Sequence, residues 1–156
     1  MPESKFMEMA IEAALDNVET SHGGPFGAVV VKDGTIIAYG RNEVTAANDP
    51  TAHAEVQAIR EACQKLNTFQ LTDCEIYTSC EPCPMCIGAI YWARPKAVYY
   101  ACTKEEAGHI GFDDDFIYKE LSLPMERRSI KMEQLLLKDC DMPFRVWGQT
   151  LTKVEY

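Results

Sequence analysis

The stretch Cys80-Glu81-Pro82-Cys83-Pro84-Met85-Cys86 sets three thiols at two intervals of three, and His53-Ala54-Glu55 stands upstream of it. Three thiols and an imidazole suit several centres. C-x-x-C-x-x-C begins the ferredoxin type of iron–sulfur run, but the fourth cysteine of that run falls on Ile90. A closed structural zinc would take His53 and all three cysteines and leave Glu55 without a role. Plain packing is a further reading, although free thiols seldom cluster so regularly beside prolines. A catalytic zinc held by His53, Cys83 and Cys86, with the fourth position open to water, makes better use of the spacing. Cys83 and Cys86 share one face of a helix start, where the helix N-terminus favours thiolates. Cys80 belongs to the strand end before the proline-bracketed turn.

Glu55 follows His53 by two residues, about 200° round a helix, so in mid-helix the two side chains diverge. They cooperate only if the helix end itself is aimed at the metal, which makes this a site assembled from two helix N-termini. Zinc brings the pKa of a bound water from about 9 toward ~7. A carboxylate outside the ligand set can take that proton and later return it to a leaving group, work commonly worth ~10²–10⁴-fold.

Outward from the motif, Phe6, Met9, Ala10, Ala13, Ala14 and Val18 predict a first helix behind a Ser4 cap, stopped by Gly23-Gly24-Pro25. Phe26 to Lys32 and Thr35 to Tyr39, joined by Asp33-Gly34, predict a hairpin. Arg41 to Asn48 reads as polar loop, and Asp49-Pro50 as the entry to a second helix carrying Val56, Ile59, Cys63 and Leu66. Glu75 to Thr78 predicts a strand, Met85 to Ala93 a third helix, and Ala97 to Ala101 a further strand. Beyond Thr103 the periodicity is poor. Phe112 to Leu121 reads as loop and short helix, Ile130 to Leu137 as a strand, and Pro143 to Thr152 as a closing helix. A hairpin followed by alternating helix and strand gives an α/β sandwich around a mixed sheet.

The 156 residues fit one domain, 1–156, long enough to bury roughly 70% of the unfolded chain's surface. Fifteen Lys and Arg against 24 Asp and Glu leave a formal charge of −9, which disfavours a partner held by phosphate contacts. No run approaches the ~20 apolar residues that span a bilayer. The first residues show no export signal, so a cytoplasmic location is expected, with the seven cysteines as thiols or ligands.

His53-Ala54-Glu55 with Pro82-Cys83-Pro84-Met85-Cys86 resembles the zinc-dependent nucleobase and nucleoside deaminases, whose signature is H-x-E…P-C-x-x-C. The resemblance implies one zinc per chain on His53, Cys83 and Cys86, with Glu55 as proton shuttle. It also implies the family's three-layer α/β/α fold with a five-stranded mixed sheet. Within the family the chain resembles the branch that converts guanine to xanthine and ammonia. That likeness rests on Gly24-Pro25-Phe26-Gly27-Ala28, Asn42, Asp49-Pro50-Thr51-Ala52, Thr78-Ser79-Cys80, Ala89-Ile90-Tyr91-Trp92-Ala93, Gly111-Phe112-Asp113-Asp114 and Glu155-Tyr156. It implies that Asn42 holds the base, Phe26 and Trp92 flank its ring, and Asp114 faces the amino-bearing edge as a second proton carrier. It further implies a homodimer that exchanges a C-terminal segment, about 141–156, so that Tyr156 closes the partner's site.

Chemistry independently favours guanine, whose edge near the reacting carbon carries N–H donors that an ionised Asp114 accepts, where adenine presents a bare acceptor. As plain structure, Phe26 and Trp92 also read as core aromatics, Asn42 as a turn residue and Asp114 as an exposed acid. Three rivals remain: a tRNA adenosine deaminase, which needs a basic track that Arg127-Arg128 is too short to supply; a deaminase of another free base such as cytosine; and a non-catalytic module that keeps zinc for structure.

Overall fold

Asp33 and Gly34 take φ values of 49° and 71°, the left-handed pair that matches the twist of flanking strands in a tight hairpin. On either side the chain pairs antiparallel as β1 (Gly27–Lys32) and β2 (Thr35–Arg41). β1 also pairs antiparallel with β3 (Cys74–Cys80), which pairs parallel with β4 (Ala97–Cys102), giving the order β2-β1-β3-β4. This computed structural model describes residues 1–156, and the chain divides into two compact units, residues 1–114 and 115–156.

In the first unit the period-2 alternation of the strands builds a core on each face of the sheet. Val29, Val31 and Tyr77 pack with Phe6 of α1 (Ser4–Glu19). Ala28, Val30 and Ile76 face the other way, onto Ala54, Ala58 and Ala62 of α3 (Ala54–Leu66) and Ile90 and Ala93 of α4 (Pro84–Ala93). These are the three α/β/α layers expected from the sequence. The alanines let α3 lie close to the sheet, so close that a Cβ on Gly40 would overlap the Ala54 carbonyl oxygen.

Several boundaries differ from the reading of the sequence. Helix α1 begins at Ser4 itself, and its buried stripe runs Phe6, Ala10, Ala14, Asn17 rather than through Val18, which is exposed. The Arg41–Asn48 loop contains a one-turn helix, α2 (Val44–Ala47). Asp49-Pro50 does not start α3; Asp49 Oδ1 instead accepts from Thr51 N at 2.9 Å and Thr51 Oγ1 at 2.7 Å, closing a turn that postpones the helix to Ala54. A further helix, α5 (Lys104–His109), follows Thr103, which forms a capping box with Glu106.

The second unit contains α6 (Asp115–Ser122), a 3-10 turn (Met125–Arg127) and α7 (Met142–Gln149). Arg128 turns back to cap α6, donating through Nε to the carbonyls of Glu120 and Leu123 at 3.1 and 3.2 Å. The strand expected over Ile130–Leu137 does not form, and the sheet has four strands rather than five. The segment lacks the alternation that would bury one face: Leu135, Leu136 and Leu137 are consecutive and all exposed.

Candidate metal centre and active site

Two helix starts converge on one point. His53 is the N-cap of α3 and Cys83 the N-cap of α4, both in extended conformation, with Pro84 fixing the first turn of α4. His53 therefore precedes its helix while Glu55 lies in the first turn, which removes the divergence that the two-residue spacing would impose in mid-helix. His53 Nδ1 lies 3.5 Å from Cys83 Sγ and 3.5 Å from Cys86 Sγ, and the three donor atoms all lie within 4.8 Å of one another. Glu55 is buried beside them, with Oε2 3.4 Å from Cys86 Sγ and Oε1 accepting from Thr78 Oγ1 at 3.1 Å.

The electrostatics suit a cation. A hydrogen bond from the Cys86 thiol, helped by His53 and the Cys86 backbone N–H, brings Cys83 down to about 4 in spite of burial. Cys86 holds the shared proton and, with burial, stays well above the ordinary thiol range. The hydrogen bond to Cys83 raises His53. Two sulfurs with one imidazole nitrogen at this separation match the donor chemistry of a tetrahedral zinc site. Burial raises the Glu55 carboxyl, opposed by its own backbone N–H and by Thr78 and Cys86.

Cys80 does not join the cluster. Its thiol donates toward the Thr103 carbonyl at 3.6 Å, and burial pushes it up to about 12. This removes the geometric basis of the iron–sulfur and four-ligand readings.

Of the other residues singled out from sequence, Asp114 is half-buried, and burial followed by the Cys83 charge raises its carboxyl, which places it in the field of the cluster. Phe26 and Asn42 come together around Gly24, where a Cβ would meet the Phe26 ring at 3.3 Å and Asn42 Cγ at 3.6 Å. Phe26 also meets Phe112 edge to face, ring centroids 4.9 Å apart. Trp92 is 62% exposed on α4, and Tyr156 lies in the second unit, 69% exposed. Sequence reasoning gave no role to Thr78 or Phe112. The alternation of β3 would have put Thr78 on the face of Ile76, toward α3, two residues before Cys80.

Residues 1–102 match the cytidine and deoxycytidylate deaminase zinc-binding region, so the chain belongs to that family. It is 56% identical over 156 residues, all of both chains, to guanine deaminase of Bacillus subtilis (strain 168), and matches the crystal structure of that enzyme with a TM-score of 0.97 over 100% of this chain and 99% of that one. It is also 36% identical over 140 residues, 89% of each chain, to a tRNA-specific adenosine deaminase of Aquifex aeolicus (strain VF5). A guanine deaminase structure from Nitrosomonas europaea aligns with a TM-score of 0.67 and 35% identity, over 70% of this chain and 63% of that one.

Proposed function

We propose that this chain is a zinc-dependent guanine deaminase, which hydrolyses guanine to xanthine and ammonia and so serves purine metabolism. The observation that carries the reading is the buried Glu55 carboxylate against a His53, Cys83, Cys86 cluster, in a chain 56% identical to a guanine deaminase from end to end.

His53, Cys83 and Cys86 would hold one zinc. Bound there, zinc supplies an activated water for attack on the ring carbon bearing the amino group. Glu55 accepts a proton from the attacking water and passes it to the adjacent ring nitrogen. It then takes the remaining proton from the new hydroxyl on the ring carbon and gives it to the amine, so that the carbonyl forms as the C–N bond breaks and ammonia leaves. Burial raises its pKa above the ordinary carboxylate value, so Glu55 binds the transferred proton more firmly than an exposed glutamate would. Thr78 holds one Glu55 oxygen and leaves the other toward the cluster. Asp114 accepts from the N–H groups of guanine's edge and assists the final proton transfer. Phe26 and Trp92 flank the ring, and Asn42 binds an acceptor on the base.

The active form is a cytoplasmic homodimer in which residues of about 141–156 are exchanged and Tyr156 completes the partner's site. The exposed Leu135, Leu136, Leu137, Phe144 and Trp147 support burial against a second copy. Acting on tRNA is the alternative that relatives keep in view, and a charge of −9 weighs against it. Ammonia release from guanine, guanosine, adenine, cytosine and tRNA tests the substrate, with and without zinc removal. Zinc-dependent release from guanine above all others is expected, and turnover of tRNA or another base in its place would overturn the substrate while leaving the metal centre standing.

A further inference from the structure

Asn17 is the one polar residue on the buried stripe of α1, and it is completely buried. Its Nδ2 donates to two backbone carbonyls, Gly24 at 2.7 Å and Asn42 at 3.0 Å, while its Oδ1 is buried without a partner. Two carbonyl acceptors fix which end of the amide carries the hydrogens. An apolar side chain of the same size would avoid burying the orphan oxygen, so packing alone does not account for an asparagine here.

What the side chain does is join two separate loops. Gly24 begins the approach to Phe26 and β1, and Asn42 leaves the end of β2. The join has no slack, because a Cβ on Gly23 would overlap the Asn42 carbonyl oxygen. Asn42 N donates to the Phe26 carbonyl at 3.2 Å, and Asn42 Oδ1 accepts from Val44 N at 3.2 Å. The Asn42 backbone is thus held on both sides and its side-chain oxygen is engaged. Its Nδ2 has no protein acceptor and is not among the buried unpartnered atoms, which leaves it available to a ligand.

We propose that Asn17 is a positioning residue for substrate: it holds the Gly24 and Asn42 carbonyls so that the Asn42 amide and the Phe26 ring present a fixed frame to the base. The proposal rests on the reading of Asn42 and Phe26 as base contacts, and it deepens that reading by assigning what sets their geometry.

Steady-state kinetics on guanine with zinc-loaded protein test it in four forms: wild type, Asn17→Leu, Asn42→Ala and the double variant, with Asn17→Asp as a near-isosteric second replacement that loses the donor should Asn17→Leu fail to fold. Asn17→Leu is expected to raise KM about tenfold, the effect of one misplaced hydrogen bond, with kcat within about threefold and zinc still bound at one per chain. In the Asn42→Ala background it should add less than about twofold, because the Asn42 contact is already gone and only the placing of the Phe26 ring is left to disturb. If Asn42→Ala raises KM but Asn17→Leu and Asn17→Asp do not, or if the Asn17 and Asn42 effects multiply in full, Asn17 does not act through Asn42 and the inference is overturned. An unchanged KM in Asn42→Ala alone would remove the base-contact reading itself, and the route assigned to Asn17 with it.

Discussion

At the residue scale, the proposed chemistry turns on a carboxylate that burial pushes toward its protonated form and that its own backbone N–H, the Thr78 hydroxyl and the Cys86 thiol pull back. The hydrogen bond from Thr78 Oγ1 lowers the Glu55 pKa against the larger effect of desolvation. Thr78→Val removes that donor at nearly constant volume, so Glu55 should bind its proton more firmly still. Because the base form is the deprotonated one, the acid limb of the kcat/KM profile for guanine should move to higher pH; a limb unmoved or shifted down would show that Thr78 does not govern this titration. The His53, Cys83 and Cys86 cluster was legible in the sequence because binding one metal would fix both residue type and spacing, as in Cys83-Pro84-Met85-Cys86. Thr78 and Asn17 were not, because a hydroxyl or amide matters only through the partner that the fold brings to it, Glu55 in one case and two loop carbonyls in the other.

At the scale of elements, α3 carries His53 at its cap and Glu55 in its first turn, so any displacement of that helix displaces the site. Gly40 sets its height, since a Cβ there would overlap the Ala54 carbonyl and lie 2.6 Å from Ala58 N. Gly40→Ala should therefore destabilise the fold by about 1–3 kcal/mol, as overpacking does, and lower zinc retention with it. Denaturant titration and metal analysis measure both, and unchanged values would show that the close approach is dispensable. The hairpin was legible because Asp33-Gly34 dictates a local geometry, and α4 because Pro84 and Pro95 bracket it. The start of α3 was misplaced by one turn because Asp49 serves a helix cap and an Asp49–Thr51 turn equally well, and only the fold decides between them. Ile130–Leu137 was misread because it carries a single β-branched residue among Lys, Met, Glu, Gln and Leu, too little to favour a strand, and no strand of the sheet pairs with it.

At the scale of the whole molecule, the exposed apolar residues of the second unit are accounted for by the proposed exchange of tails between two copies. Complementation tests it. Glu55→Gln and Tyr156→Ala subunits, each deficient alone, should form a mixed dimer in which one site combines a native Glu55 with the other chain's native Tyr156, so activity should return on co-expression. No recovery in a verified mixed dimer would place Tyr156 outside the partner's site. Charge was the most useful bulk property, because −9 separates a small base from an RNA within one family, whereas the arrangement of subunits leaves no trace in composition. The central claim, that Glu55 moves the protons of guanine hydrolysis beside a metal held by His53, Cys83 and Cys86, is met most directly by ammonia release from guanine by Glu55→Gln protein carrying one zinc per chain. The expected result is a rate lower by roughly 10²–10⁴-fold with the metal retained; near-normal turnover in the zinc-loaded variant would contradict the account.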